Sequence, residues 1–285
     1  MNTSFITSKK SFFSRRAPRK GSDKKSIVIA IDKRQKFVIA VILLSFGLFL
    51  SEFQFSRSGL LISAIISIFS VLFLLWAIYK DIKDNFSISL FVLPFFYSLA
   101  FGLFYFLVPA SVLSRVVLTS LYAFGMYSLF LSQNIFAVAS IRTIALLSGA
   151  RIVSFVITLL SFFFLTNIVF TLHANIFITV GLIFIFTYSL IFQSIWTYNL
   201  QQTTFSVALW VLALSLCIIQ AAALLWFWPT SPTVIALFLT GFFYTMTGLS
   251  HVWFEKRLFR GVLWEYLWVG VVVFFVLLLF SSWGK

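Results

Sequence analysis

Charge is scarce in this chain, and acid scarcer still. Only 10% of the 285 residues are charged and 7 of them are Asp or Glu, whereas a soluble domain carries about 25% charged side chains. Too little polar surface remains to cover a water-exposed globule. That excludes a cytosolic enzyme, a secreted module and a soluble nucleic-acid binder. The single cysteine, Cys217, excludes an intrachain disulfide and a cysteine metal cluster; inside an apolar run it reads as a small packing residue. The usual signatures of chemistry are missing too: no P-loop, no HExxH, no GxSxG, no dinucleotide glycine pattern, and no paired carboxylates within one apolar segment.

What the chain has in abundance is oil. Hydrophobic residues make up 61% and aromatics 20% of it, and the mean hydropathy is +1.08. A membrane-crossing helix needs about 20 mainly apolar residues, because the hydrocarbon core is roughly 30 Å thick and each residue rises about 1.5 Å. On that ruler the sequence predicts about nine spans, over residues 37–55, 59–79, 86–108, 116–139, 152–172, 176–198, 205–226, 233–253 and 262–283. Backbone groups in lipid must be bonded within their own segment, so these runs are helices. The expected fold is all-α, a polytopic transmembrane helix bundle.

The bases orient it. Of the 21 Lys and Arg, eleven fall in residues 1–36 against Asp23 and Asp32. This segment, with Pro18, Gly21 and several serines, is expected to be a disordered cytoplasmic tail ahead of a transmembrane domain over 37–285. Its expected partner is the anionic headgroup surface of the lipid bilayer rather than nucleic acid. Ser14, Arg15 and Arg16 lie too far from an apolar run to form a twin-arginine signal, and no cleavage site closes the first span. With the N-terminus inside, eighteen bases lie on inner segments; only Arg57, Arg115 and Lys285 lie outside. The C-terminus is then outside. The connection over 140–151 is expected to lie at the interface or to extend the fourth helix.

Small residues mark contacts. Gly59, Ser63 and Ser67 form a line at four-residue spacing, with shorter versions at Ser98 and Gly102, Ser154 and Thr158, and Gly241 and Thr245. In membranes such lines serve close helix packing. Pro94 is expected to kink the third helix.

Polar side chains gather toward the span ends and leave the middle apolar. Asn167 and Gln220 are expected near outer ends, and Asn134, Gln193, His251, Glu255 and Glu265 near inner ends. No acid or histidine is expected at mid-depth, where proton relays and most ion-coupled carriers place charge. His251 and Glu255 share a helix face at i and i+4, but two ligands fall short of a metal site. The favoured account pairs Glu255 and Glu265 with neighbouring bases, puts His251 at a headgroup or a backbone carbonyl, and makes Gly261 the hinge into the last helix. The outer turn Trp226-Phe227-Trp228-Pro229 reads as an aromatic belt. A sugar- or headgroup-stacking platform, joined by His173 and Asn175 if the fifth and seventh helices pack together, is the alternative.

The stretches WFWPTSPTVIALFLTGFFYT and HVWFEKRLFRGVLWEY, within residues 226–266, resemble an uncharacterised family of bacterial polytopic membrane proteins. The resemblance extends from about Phe37 onward. It implies a bacterial plasma-membrane location and brings no assigned activity, cofactor or site. The expected role is a non-catalytic structural or accessory component of the membrane. The alternatives are a carrier or flippase whose route is lined by Asn134, Asn167, Gln193 and Gln220, and then a membrane-embedded enzyme centred on His251 and Glu255.

Overall fold

A computed structural model describes residues 33–54, 59–82, 87–108, 111–139, 146–199 and 205–281. Among these, nine helices are each long and apolar enough to cross a membrane. They are α1 (Lys33–Gln54), α2 (Gly59–Ile82), α3 (Ser89–Leu107), α4 (Val112–Ala139), α5 (Leu147–Thr171), α6 (Ile176–Trp196), α7 (Phe205–Trp226), α8 (Pro232–Phe254) and α9 (Arg260–Leu279). No strand occurs among the described residues. The chain is a multi-pass membrane protein.

The boundaries follow local chemistry. Ser231 precedes α8 in an extended conformation and Pro232 occupies its first turn, where a missing N–H costs no hydrogen bond. Pro94 lies inside α3, which runs on through it; Ser70 of α2 donates to the Pro94 carbonyl at 3.0 Å. Several other buried hydroxyls are bonded within their own helices, as in Ser67 to the Ser63 carbonyl (2.7 Å) and Thr158 to the Ser154 carbonyl (2.8 Å). A hydroxyl bonded one turn back can enter an apolar interior at little cost.

Three boundaries depart from expectation. Helix α1 begins at Lys33, so the last residues assigned to the tail are helical; the Lys36 ammonium sits 4.8 Å from the Trp76 ring centroid, a cation–π contact that holds this turn. The rest of the tail lies outside the described residues, as do residues 140–145 of the longest inner connection. Residues from Leu147 to Arg151 open α5 and do not extend α4. The turn after α8 is made at Lys256, with φ of 57°, and Gly261 is already inside α9. The helix end, not the glycine, sets that corner.

Sequence neighbours pack together through small residues. A Cβ on Gly102 would come within 2.6 Å of the Ser63 Cβ, and one on Gly59 within 2.9 Å of the Phe106 ring. The partners Gly59–Phe106, Ser63–Gly102 and Ser70–Pro94 step in opposite directions along α2 and α3, as antiparallel neighbours must. Gly241 against Val273 and Gly248 against Tyr266 do the same for α8 and α9. The small-residue lines are helix contacts, where van der Waals fit replaces the hydrophobic drive that lipid cannot supply.

The centre is α5, which packs on α3, α4, α6 and α8. Its span is 61% buried, against 6% for α9, which leans on α8. Interlocked rings fill the middle: Phe162 of α5 lies 4.5 Å from Phe243 of α8, and Phe164 packs edge-on against Phe101 of α3 at 5.0 Å. Such pairs each add about 0.5–1.5 kcal/mol beyond their area.

Candidate functional site

The predicted polar residues do not converge. Asn134 is partly buried on α4 and Gln220 is exposed on α7. Asn167, near the far end of α5, is buried and its Oδ1 accepts from the Thr171 hydroxyl at 3.3 Å. Gln193, near the opposite end of α6, is fully buried and donates to Ser154 Oγ at 3.4 Å. Glu265 is exposed on α9. Gln133, beside Asn134, is fully buried with neither amide atom hydrogen-bonded.

Only His251 and Glu255 belong to one cluster, and its other members come from helices far away in sequence. His251, in the last turn of α8, is 5% exposed. Its Nε2 lies 2.9 Å from Ser194 Oγ of α6. The Tyr198 ring stacks on the imidazole at 4.2 Å and 20°, and Phe155 of α5 meets it edge-on at 4.9 Å. Arg151 covers the other face of Tyr198, its guanidinium carbon 4.5 Å from the ring centroid. Arg151 also donates through Nε to the Thr197 carbonyl at 3.0 Å and through Nη1 to Glu255 Oε1 at 3.4 Å.

Guanidinium, phenol and imidazole thus form a layered stack across the ends of α5, α6 and α8. Burial pushes the Tyr198 phenol above its ordinary range; Glu255 adds to the rise and Arg151 opposes it. Two expectations are corrected. His251 meets a serine hydroxyl under a covering ring, not a headgroup or backbone carbonyl, because the turn after α6 folds Tyr198 over it. Glu255 pairs with Arg151 of α5 rather than with the bases that follow it, because the left-handed turn at Lys256 carries the chain away from α8.

The Ser194–His251 pair has the spacing of a nucleophile and its base. Both residues are nonetheless buried, Ser194 at 4% and His251 at 5% exposure, and rings cover the imidazole. A nucleophile must also reach substrate. Among the described residues no three of His, Cys, Asp and Glu converge as metal ligands.

A second assembly lies at the opposite end, where the α5–α6 turn meets the α7–α8 turn. Trp226 donates through Nε1 to the Ala174 carbonyl at 3.4 Å, and Thr230 donates to the Phe280 carbonyl just after α9 at 3.2 Å. His173, at φ 46°, turns its Nδ1 onto the Thr171 carbonyl at 2.8 Å. Between these turns lies a pocket of about 220 Å³ lined by His173, Trp226, Trp228 and Thr230 among others. His173 therefore does join the aromatic turn. The route is the α5–α6 turn, for α7 packs on α6 and α8.

Sequence reasoning missed Ser194, Tyr198 and Arg151 as partners of His251. The available signal was that Ser194 and Tyr198 lie four residues apart at the end of one predicted span, and so on one face if helical.

Residues 46–280 match the family described as "Protein of unknown function (DUF5656)". No curated protein and no solved structure matches the chain.

Proposed function

We propose, from the premise that the chain belongs to this family of unknown function, that it is a non-catalytic structural or accessory component of a bacterial plasma membrane. One observation carries this reading: the amides that would line a carrier's route are separated in depth and burial, with Asn167 buried near one end of the bundle, Gln193 buried near the other and Gln220 exposed. Asn167 and Gln193 are used in contacts with hydroxyls. A carrier holding a substrate at mid-depth needs its polar groups to face one cavity. The covered state of Ser194 and His251 adds support, since a nucleophile and its base must be reached by substrate.

The test is solvent access. In a Cys217→Ala background, single cysteines at Gln133, Asn134, Asn167, Gln193 and Gln220 are challenged with a water-soluble thiol reagent in sealed vesicles. The accessory role predicts slow labelling at the buried Gln133, Asn167 and Gln193, with no graded series running inward from one face. A continuous series would establish an aqueous route and overturn it. Labelling of Ser194 by a fluorophosphonate would overturn the non-catalytic claim separately.

A further inference from the structure

The pocket between the α5–α6 and α7–α8 turns goes beyond that reading, because its chemistry selects a ligand. The Thr171 carbonyl can only accept, so His173 Nδ1 carries the proton in that bond. In the neutral ring Nε2 is then an unprotonated acceptor. Thr230 donates its hydroxyl hydrogen bond to the Phe280 carbonyl and keeps lone pairs; the Trp226 N–H is occupied by the Ala174 carbonyl. His173 Nε2 and Thr230 Oγ1 offer a ligand acceptors, and they are set among indole rings, of which Trp228 also brings an N–H donor to the lining. No charged side chain lines the pocket.

We infer that this pocket binds one neutral sugar ring, whose hydroxyls donate to His173 Nε2 and Thr230 Oγ1 while an apolar ring face lies on Trp226. An anion such as phosphate would find no Lys or Arg to pair with and two acceptors facing it. A quaternary ammonium would find aromatic faces but no carboxylate. The volume, about 220 Å³, lies below the roughly 300–1,000 Å³ of drug-sized sites, which fits a single ring. The sugar arrives either free in water or on a lipid, since the pocket opens where the aromatic turn would meet headgroups.

The test uses the full chain in nanodiscs. Saturation-transfer NMR compares glucose, galactose and N-acetylglucosamine with glucose 6-phosphate and choline; native mass spectrometry measures retention of a monoglucosyl diacylglycerol. The neutral sugars or the glycolipid are expected to bind, weakly and in preference to the charged probes. Glycolipid retention without a free-sugar signal identifies the lipid-linked source, and a free-sugar signal identifies the soluble one. Trp226→Leu and His173→Asn should each weaken binding about tenfold or more. Asn tolerates the positive φ, so the second variant keeps the turn while withdrawing the imidazole acceptor. Binding of neither neutral probe, preference for choline or glucose 6-phosphate, or equal binding in both variants would overturn the inference. Because the thiol-labelling test concerns other residues, the two proposals fail independently.

Discussion

Lys256 occupies the position that glycine usually takes at a helix end. Its N–H bonds to the Trp253 carbonyl at 3.0 Å and that of Arg257 to the Val252 carbonyl at 3.1 Å, the paired bonds of a Schellman motif, with φ of 57° at Lys256. A Cβ in the left-handed region costs about 1–2 kcal/mol, while a cation near the last carbonyls returns about 0.3–1 kcal/mol. The first effect wins. Lys256→Gly is therefore expected to stabilise the fold by up to about 1 kcal/mol, read as a higher midpoint in thermal unfolding in detergent. Tyr198, two residues beyond α6, gives a pH signature. Its raised phenol stays protonated in the fold while the unfolded chain ionises near pH 10. The unfolded state then binds fewer protons, so the contribution of Tyr198 is complete below pH 10 and is lost as pH climbs through the folded value. The difference in phenolate absorbance between the native protein and Tyr198→Phe should titrate above pH 10, and Arg151→Ala should move it higher still. Titration at or below the ordinary value would contradict the stack.

At the scale of helices, the α2–α3 contact is the sharpest test of packing. A methyl on Gly102 would meet the Ser63 Cβ at 2.6 Å and its Cα at 3.1 Å, so backbone must move. Gly102→Ala should cost about 1–3 kcal/mol, the range for overpacking. Adding Ser63→Gly should recover part of that loss, as a double-mutant cycle reports coupling between touching residues. At Gly181 nothing lies within 4 Å, and Ala there should be neutral or stabilise by roughly 0.5–1 kcal/mol. That these helices exist was legible in the sequence, because a long apolar run in lipid has one way to satisfy its backbone. The line Gly59, Ser63, Ser67 was legible as a contact for the same kind of reason: small side chains let backbones approach. Which helix touches which was not legible. Inward and lipid-facing sides are equally apolar, so Phe162 on α5 carries no mark that it meets Phe243 rather than lipid. The same blindness hid the His251 cluster. Glu255 one turn away suggested a wet surface, and only the packing of α6 against α8 brings Ser194 and Tyr198 over the imidazole. His173 was easier to place, since a short turn holds it near the level of Trp226.

For the whole molecule, the helix order sorts the bases by end. Antiparallel packing puts Lys33, Arg34, Lys36, Arg151, Lys256, Arg257 and Arg260 at the end where α1 starts, and Arg115 at the other. Cross-contacts support the sorting: Arg151 reaches Thr197 and Glu255 at one end, while Trp226 reaches Ala174 and Thr230 reaches Phe280 at the other. Each base near an anionic cytoplasmic surface contributes about 1 kcal/mol. Even discounting Arg151, whose charge Glu255 meets, the difference between the two orientations amounts to several kcal/mol. The base-rich end is therefore expected in the cytoplasm, which puts the sugar pocket on the outer face. With Cys217, itself exposed, replaced by Ala, a membrane-impermeant thiol reagent on intact cells should label cysteines at Ser58, Asn175 and Pro232. One at Asn85 should react only after permeabilisation. Labelling of Asn85 and Asn175 from the same side would require an odd number of crossings between α2 and α6 to be lost. The reverse pattern would leave the packing intact but turn the pocket toward the cytoplasm, where only inner-leaflet or soluble sugars could reach it.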